Sequence, residues 1–269
     1  MPKLAANLHF LFQELPFLDR FAAAAEAGFR GVECLDPYEA PAEAIAERLT
    51  RHGLTMALIN LPAGDRAAGE RGRAALPGQE RAFLADLERA LGYATVTGAG
   101  RLHVLSGLWP AERDKAEGER VLVANLRRAA DIAAERGIEL LLEPINPRDM
   151  PGYFLNTPRQ AVAILDRIER ANVRLQLDLY HCQIVAGDLA RHIRELLPRI
   201  AHVQIAGVPE RHEPDRGEVN YPYLLDLLDA LGYDGWVGCE YRPAAGTRAG
   251  LAWARRWGVG RAEETGRRA

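Results

Sequence analysis

Short apolar runs separated by longer amphipathic ones recur eight times along this chain, and that alternation limits the fold more than any other feature of the sequence. The short runs fall at 4–10, 31–35, 55–60, 101–106, 138–143, 174–178, 202–206 and 236–241. Runs this brief and this apolar suit strands buried on both faces. The longer stretches lie near 16–27, 42–52, 79–97, 117–136, 158–170, 188–197, 221–231 and 247–257, and several close on a glycine (Gly28, Gly53, Gly137, Gly232), the residue a helix C-terminus favours. Strands that alternate with helices predict βα units on a parallel sheet. Eight such units in about 260 residues predict an α/β chain folded as a (β/α)8 barrel. An open doubly wound sheet fits less well, because no glycine-rich phosphate loop follows the first strand, where the chain reads HFLFQELPF instead. Residues 1–260 are therefore expected to form a single barrel domain, and 261–269, charged and lacking a core stripe, a frayed tail.

Bulk properties exclude several roles. A formal net charge of −3 offers no basic face for nucleic acid. The three cysteines (Cys34, Cys182, Cys239) are widely spaced in apolar surroundings, which suits neither a disulfide framework nor a CxxC metal site and fits a reducing cytoplasm. The N-terminus lacks the extended basic region of a secretion signal, and no window approaches the ~18 apolar residues of a membrane span. No membrane partner is expected. An exposed helix face is available for homo-oligomerisation.

The second half of the chain carries the chemistry. Four strand segments end on an oxygen donor: Glu143 in IELLLEP, Asp178 in VRLQLDLYH, Gln204 in IAHVQIAG and Glu240 in GWVGCEYRP. Each has a plain structural alternative, such as a helix cap for Asp178 or a barrel arginine beside a glutamate. Their joint placement argues for more, since burying three like charges together is costly unless a cation or protons neutralise them. An all-oxygen set favours a hard divalent cation, Mg²⁺ first and Mn²⁺ second. His181 follows Asp178 by three residues, where it can meet a substrate oxygen from the loop above, and Arg211 can contact an anionic substrate or one of the carboxylates. A cation that grips an α-hydroxycarbonyl compound acidifies the adjacent C–H, and Glu143 and Glu240 are then placed to move that proton between neighbouring carbons. Two long loops, 61–78 and 144–157, follow strands three and five and are expected to cover the site.

The strings NLPAGDRAAGERGRAALPG (60–78), LLLEPINPRDMPGYFL (141–155), LQLDLYHCQ (175–183), HVQIAGVPERHEPDRGEVNYPYLL (202–225) and LGYDGWVGCEYRP (231–243) resemble the hydroxypyruvate isomerase family within the xylose-isomerase-like, metal-dependent TIM barrels. The resemblance runs over nearly the whole chain. It implies reversible aldose–ketose isomerisation of hydroxypyruvate and tartronate semialdehyde, with Glu143 and Glu240 matching the family's proton donor/acceptor pair and Asp178 and Gln204 the remaining metal positions. A related reaction on four-carbon 2-oxo-tetronates would use the same motifs. A carboxylate-bearing substrate calls for an arginine, and Arg71 in the first long loop is the leading candidate, with Arg66 an addition of this chain. Arg66 and Arg73 depart from the family's usual residues in that loop.

Three other classes make distinct predictions. A dehydratase would lose water where an isomerase conserves mass. An abasic-site nuclease needs several histidine ligands and a basic groove, and a sugar-acid binding protein has no use for two opposed glutamates.

Overall fold

The structure, a computed structural model, describes residues 1–260; the expected tail, 261–269, lies outside the described residues. Eight parallel strands close into a barrel in sequence order, β1 (Lys3–Asn7), β2 (Gly31–Cys34), β3 (Thr55–Asn60), β4 (Arg101–His103), β5 (Glu139–Leu142), β6 (Val173–Asp178), β7 (Ile200–Ile205) and β8 (Trp236–Cys239), with β8 pairing back onto β1. The helices are α1 (Arg20–Glu26), α2 (Ala42–His52), α3 (Glu80–Thr97), α4 (Lys115–Ala134), α5 (Pro158–Ile168), α6 (Leu179–Val185), α7 (Leu189–Leu196), α8 (Tyr221–Ala230) and α9 (Thr247–Gly250). The (β/α)8 reading of the sequence holds.

The structure departs from the expected elements at two places. The chain after β6 turns at once into α6, because the Asp178 side chain accepts from the backbone N–H groups of Tyr180 and His181 and so caps a helix where a loop was expected. The last expected helix, 247–257, resolves into the single turn of α9 followed by a 3₁₀ segment, Leu251–Trp257. No described helix is long and apolar enough to cross a membrane.

The main core lies between strands and helices and takes in most buried apolar residues. A separate small cluster, Leu58, Leu141 and Ala201, comes from β3, β5 and β7 and fills the barrel interior, as alternate strands do in barrels of this kind. Toward the C-terminal ends of the strands the interior becomes polar. Asn7, Glu33, His103, Gln176, Asp178, His202 and Gln204 are all buried there. Register places them: after an irregularity between β6 and β7, Gln176 pairs with His202 and Asp178 with Gln204, so the period of two keeps each pair on one face. Gly238 on β8 makes room for this layer, because a Cβ there would stand 2.3 Å from Glu33 Oε2.

Both long loops are tied down over the mouth. Gly72 bridges to Ser106, and Ala75 N–H donates to the Ser106 carbonyl at 2.9 Å. In the second loop Leu108 bridges to Tyr153, and Trp109 N–H donates to the Gly152 carbonyl at 2.7 Å. Arg73, at a position where the resemblance leads one to expect an apolar residue, is held by ion pairs to Glu70 (2.6 Å) and Asp86 (2.5 Å) and fastens the first loop to α3.

Candidate active site

A cavity of about 730 Å³ opens at the C-terminal end of the barrel. Glu143, Glu240, His181, Arg211 and Arg71, all singled out from the sequence, line it together with His9, His103 and Asp149, which were not. Glu143 and Glu240 immediately follow β5 and β8, Asp178 is the last residue of β6, and Gln204 lies one residue from the end of β7. Each of the four strand-end donors is at most 6% exposed, and among the described residues the acidic and histidine ligand atoms that lie within 4.8 Å of one another are those of Glu143, Asp178 and His181.

Capping uses only one oxygen of Asp178. Its Oδ1 takes the two backbone N–H groups of α6, while Oδ2 has no hydrogen-bond partner; Glu143 Oε1 is likewise buried without one. Two orphaned carboxylate oxygens facing one space leave an unmet demand for positive charge, which a divalent cation would satisfy. By distance alone His181 belongs to the same group, its Nε2 lying 3.7 Å from Asp178 Oδ2 and 3.9 Å from Glu143 Oε1. His181 sits in the first turn of α6, not on a loop.

Gln204 reaches Glu240, but in this structure through nitrogen. Its Nε2 donates to Glu240 Oε2 (2.6 Å) and Glu33 Oε1 (2.8 Å), while its Oε1 accepts from Gln176 Nε2 (2.6 Å). A half-turn of the amide would present the oxygen expected of a ligand, but against the carboxylates of Glu33 and Glu240, so it requires a cation between them. Asn7 makes the same double bridge, donating to Glu33 Oε1 (2.8 Å) and Glu240 Oε2 (2.9 Å). His202 donates from Nε2 to Glu33 Oε2 at 2.6 Å. Glu33 is therefore an anchor beneath Glu240, and sequence reading passed over it as one charge inside the apolar run GVECL.

Arg211 is not a solvated loop residue. Its guanidinium, 8% exposed as a residue, lies 2.5 Å from Glu240 Oε1, 3.1 Å from Asp149 Oδ2 and 3.8 Å from Asp178 Oδ2, with the Phe10 and Tyr180 ring centroids each 4.8 Å away. It supplies a fixed, buried positive charge beside the carboxylates. Arg71 lines the cavity with one nitrogen on the backbone carbonyls of Glu70 (2.7 Å) and Arg66 (3.3 Å), and Arg66 pairs with Asp36 at 3.5 Å.

The electrostatics follow from crowding carboxylates in a buried space. Burial, then the charges of Glu240 and Asp178, push the Glu143 carboxyl well above the ordinary carboxylate range. Burial pushes Glu240 up to about 8 and Asp178 up to about 6, against the pull of Arg211 on each. His103, 3.4 Å from Glu143 Oε2, is pushed down to about 3 by burial. Carboxyls near neutrality beside a fixed cation are groups able to take and return protons.

The sequence matches the family model described as "Xylose isomerase-like TIM barrel" over residues 21–257. It is 56% identical over 253 residues to the 2-oxo-tetronate isomerase of Cupriavidus necator, covering 94% of this chain and 97% of that protein. It is 43% identical to the hydroxypyruvate isomerase of Escherichia coli, covering 94% and 98%. A crystal structure named AP endonuclease, family 2, from Brucella melitensis superposes with a TM-score of 0.94 at 50% identity over 96% of this chain and 99% of that one. With the family model spanning nearly the whole barrel and the likeness extending to proteins of the same length, this chain belongs to the xylose isomerase-like TIM barrel family.

Proposed function

We propose that the protein is a divalent-cation-dependent aldose–ketose isomerase of short hydroxy-keto acids, interconverting hydroxypyruvate and tartronate semialdehyde. The observation that carries this reading is the pair of buried glutamates, Glu143 and Glu240, lining one cavity with carboxyls displaced toward neutrality. Glu143, Asp178, Glu240 and Gln204, the last through its amide oxygen, would hold the cation, with Mg²⁺ preferred over Mn²⁺. When bound, the cation would offset the clustered negative charge and polarise the substrate carbonyl.

The chain's own groups then move the proton. One glutamate takes a proton from C3 of hydroxypyruvate, leaving an enediolate; the other delivers a proton to C2. The hydroxyl proton passes from the C3 oxygen to the C2 oxygen, so that atoms and charge balance. His181 offers a hydrogen bond to a substrate oxygen, and Arg71 and Arg211 meet negative charge on the substrate. The two long loops, held by the Gly72–Ser106 and Leu108–Tyr153 bridges, border the cavity in which this happens. The three cysteines, free and buried, suit the reducing cytoplasm in which we place the protein.

A four-carbon substrate is the second reading, favoured by the higher identity to the 2-oxo-tetronate isomerase (56% against 43%). A nuclease reading gains nothing from the described site, whose cation-facing atoms are mainly carboxylate oxygens. The test is to strip the protein with chelator, restore Mg²⁺ or Mn²⁺, and follow each substrate in D₂O by NMR. Metal-dependent conversion with deuterium entering the carbon skeleton supports the mechanism, and relative kcat/KM decides between three and four carbons. Conversion that persists at full rate without metal, or water lost from the product, would overturn it.

A further inference from the structure

His181 stands close enough to Glu143 and Asp178 to serve as a third metal ligand, yet its other ring nitrogen has the wrong partner for that task. A histidine that binds a metal through Nε2 normally donates its Nδ1–H to a carboxylate, a carbonyl or water. Here Nδ1 faces two donors. The Asn146 side-chain nitrogen lies 2.6 Å away, and the Asn146 backbone N–H points at the same atom from 3.5 Å. A backbone N–H can only donate. The side-chain amide is equally constrained, because Asn146 Oδ1 is occupied by the backbone N–H of Asp149 at 2.9 Å, which turns Nδ2 toward the ring. Nδ1 must therefore be the unprotonated nitrogen, and the ring proton belongs on Nε2, which faces the orphaned oxygens of Asp178 and Glu143.

We infer that Asn146 is a positioning residue that locks His181 in its Nε2–H tautomer, so that the ring presents a hydrogen-bond donor, and not a lone pair, to the space between Glu143 and Asp178. Two consequences follow. The donor is available to a substrate oxygen, and the nitrogen is withheld from the cation, which leaves an all-oxygen set suited to Mg²⁺ and poorly suited to Zn²⁺. The second consequence deepens the proposed function and rests on it; the tautomer itself does not.

The substitution Asn146→Asp keeps the shape, the acceptor for Asp149 N–H and the reach to the ring, but replaces the donor on Nδ1 with an acceptor. It should move the ring proton to Nδ1 and free the Nε2 lone pair. The experiment is ¹⁵N NMR on histidine-labelled, metal-free protein, with the His181 signals identified by their loss in His181→Gln, followed by calorimetric titration with Zn²⁺ and with Mg²⁺. Expected are a protonated Nε2 in the native protein, a protonated Nδ1 in Asn146→Asp, and a gain in Zn²⁺ affinity on the order of tenfold or more in the variant, with Mg²⁺ affinity little changed. A protonated Nδ1 in the native protein, or a proton that stays on Nε2 in the variant, overturns the inference. A moved proton without a gain in Zn²⁺ affinity overturns the metal-selectivity consequence. Should Asn146→Asp fail to fold, the native spectrum decides by itself. None of these readouts requires turnover, so failure of the isomerase reading would show separately in the substrate assay.

Discussion

Replacing Arg211 with methionine isolates the charge balance of the site, because methionine keeps much of the buried apolar stem while removing the guanidinium. In the native protein that group lies 2.5 Å from Glu240 and 3.8 Å from Asp178. At an effective dielectric of about 20, a unit charge 3.8 Å away contributes roughly 4 kcal/mol of attraction before desolvation is subtracted. Removing one partner of a buried pair costs about 3–5 kcal/mol overall, because the other is left charged and uncompensated. For a chain of this size that corresponds to a fall in Tm of roughly 6–20 °C, at about 2–4 °C per kcal/mol. The sign of the pH dependence is fixed by the orphaned groups. Glu240 already has its carboxyl pushed up to about 8 with Arg211 opposing the rise; without Arg211 it rises further, so the carboxyl stays protonated to higher pH. The deficit should therefore be largest above pH ~8 and shrink toward pH ~6 as protons replace the missing charge. Saturating Mg²⁺ should shrink it as well. The assay is thermal unfolding followed by circular dichroism at both pH values, with and without the cation. A Tm loss that is the same in all four conditions would refute the argument and reduce Arg211 to its packing against Phe10 and Tyr180.

Glu143→Gln and Glu240→Gln should each lower kcat by at least ~10²-fold while leaving the far-ultraviolet dichroism unchanged; substantial turnover in either would remove that residue from proton transfer. Gly238→Ala places a methyl group 2.3 Å from Glu33 Oε2 and must displace the carboxylate on which Asn7, His202 and Gln204 converge. A loss of about 2–3 kcal/mol in urea unfolding is expected, and an unchanged midpoint would mean that the Glu33 network contributes little. In metal-free native protein the carboxyls of Glu143, Asp178 and Glu240 are displaced upward, so the folded state holds more protons than the unfolded chain above about pH 4 and loses stability as pH rises. The histidines His9, His103 and His181 are displaced downward and act oppositely, but only below their ordinary value of 6.5. The clean window is thus about pH 7 to 8, where metal-free stability should fall and the gain in Tm on adding Mg²⁺ should grow; a gain that is flat across it would contradict the carboxylate cluster.

How much of this site the sequence disclosed depends on where each residue stands in its strand. Glu143, Asp178, Gln204 and Glu240 were legible because a polar residue at the end of an apolar run marks the catalytic mouth of a barrel. Asn7, Glu33, His103, Gln176 and His202 stand inside runs or near their ends, in LAANL, GVECL, RLHVL, LQLDL and IAHVQI, and were absorbed into the strand reading. Yet they carried a signal. A strand buried on both faces has no solvent side for a polar group, so each must point into the barrel or face an uncompensated burial cost. Gln176 and His202 precede Asp178 and Gln204 by two residues, the spacing that keeps neighbours on one face. Read with that spacing in mind, the four strand-end donors already imply a second polar layer below them.

Asn146 and Arg211 were harder, for a different reason. Both act from loops, where no period ties sequence position to direction, and both owe their roles to contacts with residues 35 and 29 positions away. Arg211 could be singled out as a charge near Gln204, but only the fold shows it inserted among Glu240, Asp178 and Asp149. Asn146 could not be singled out at all. Its importance lies in which atom faces His181, and that is settled by the backbone N–H of Asp149 three residues on. The strands thus determine which side chains enter the site, whereas the loops determine which of their atoms face the substrate.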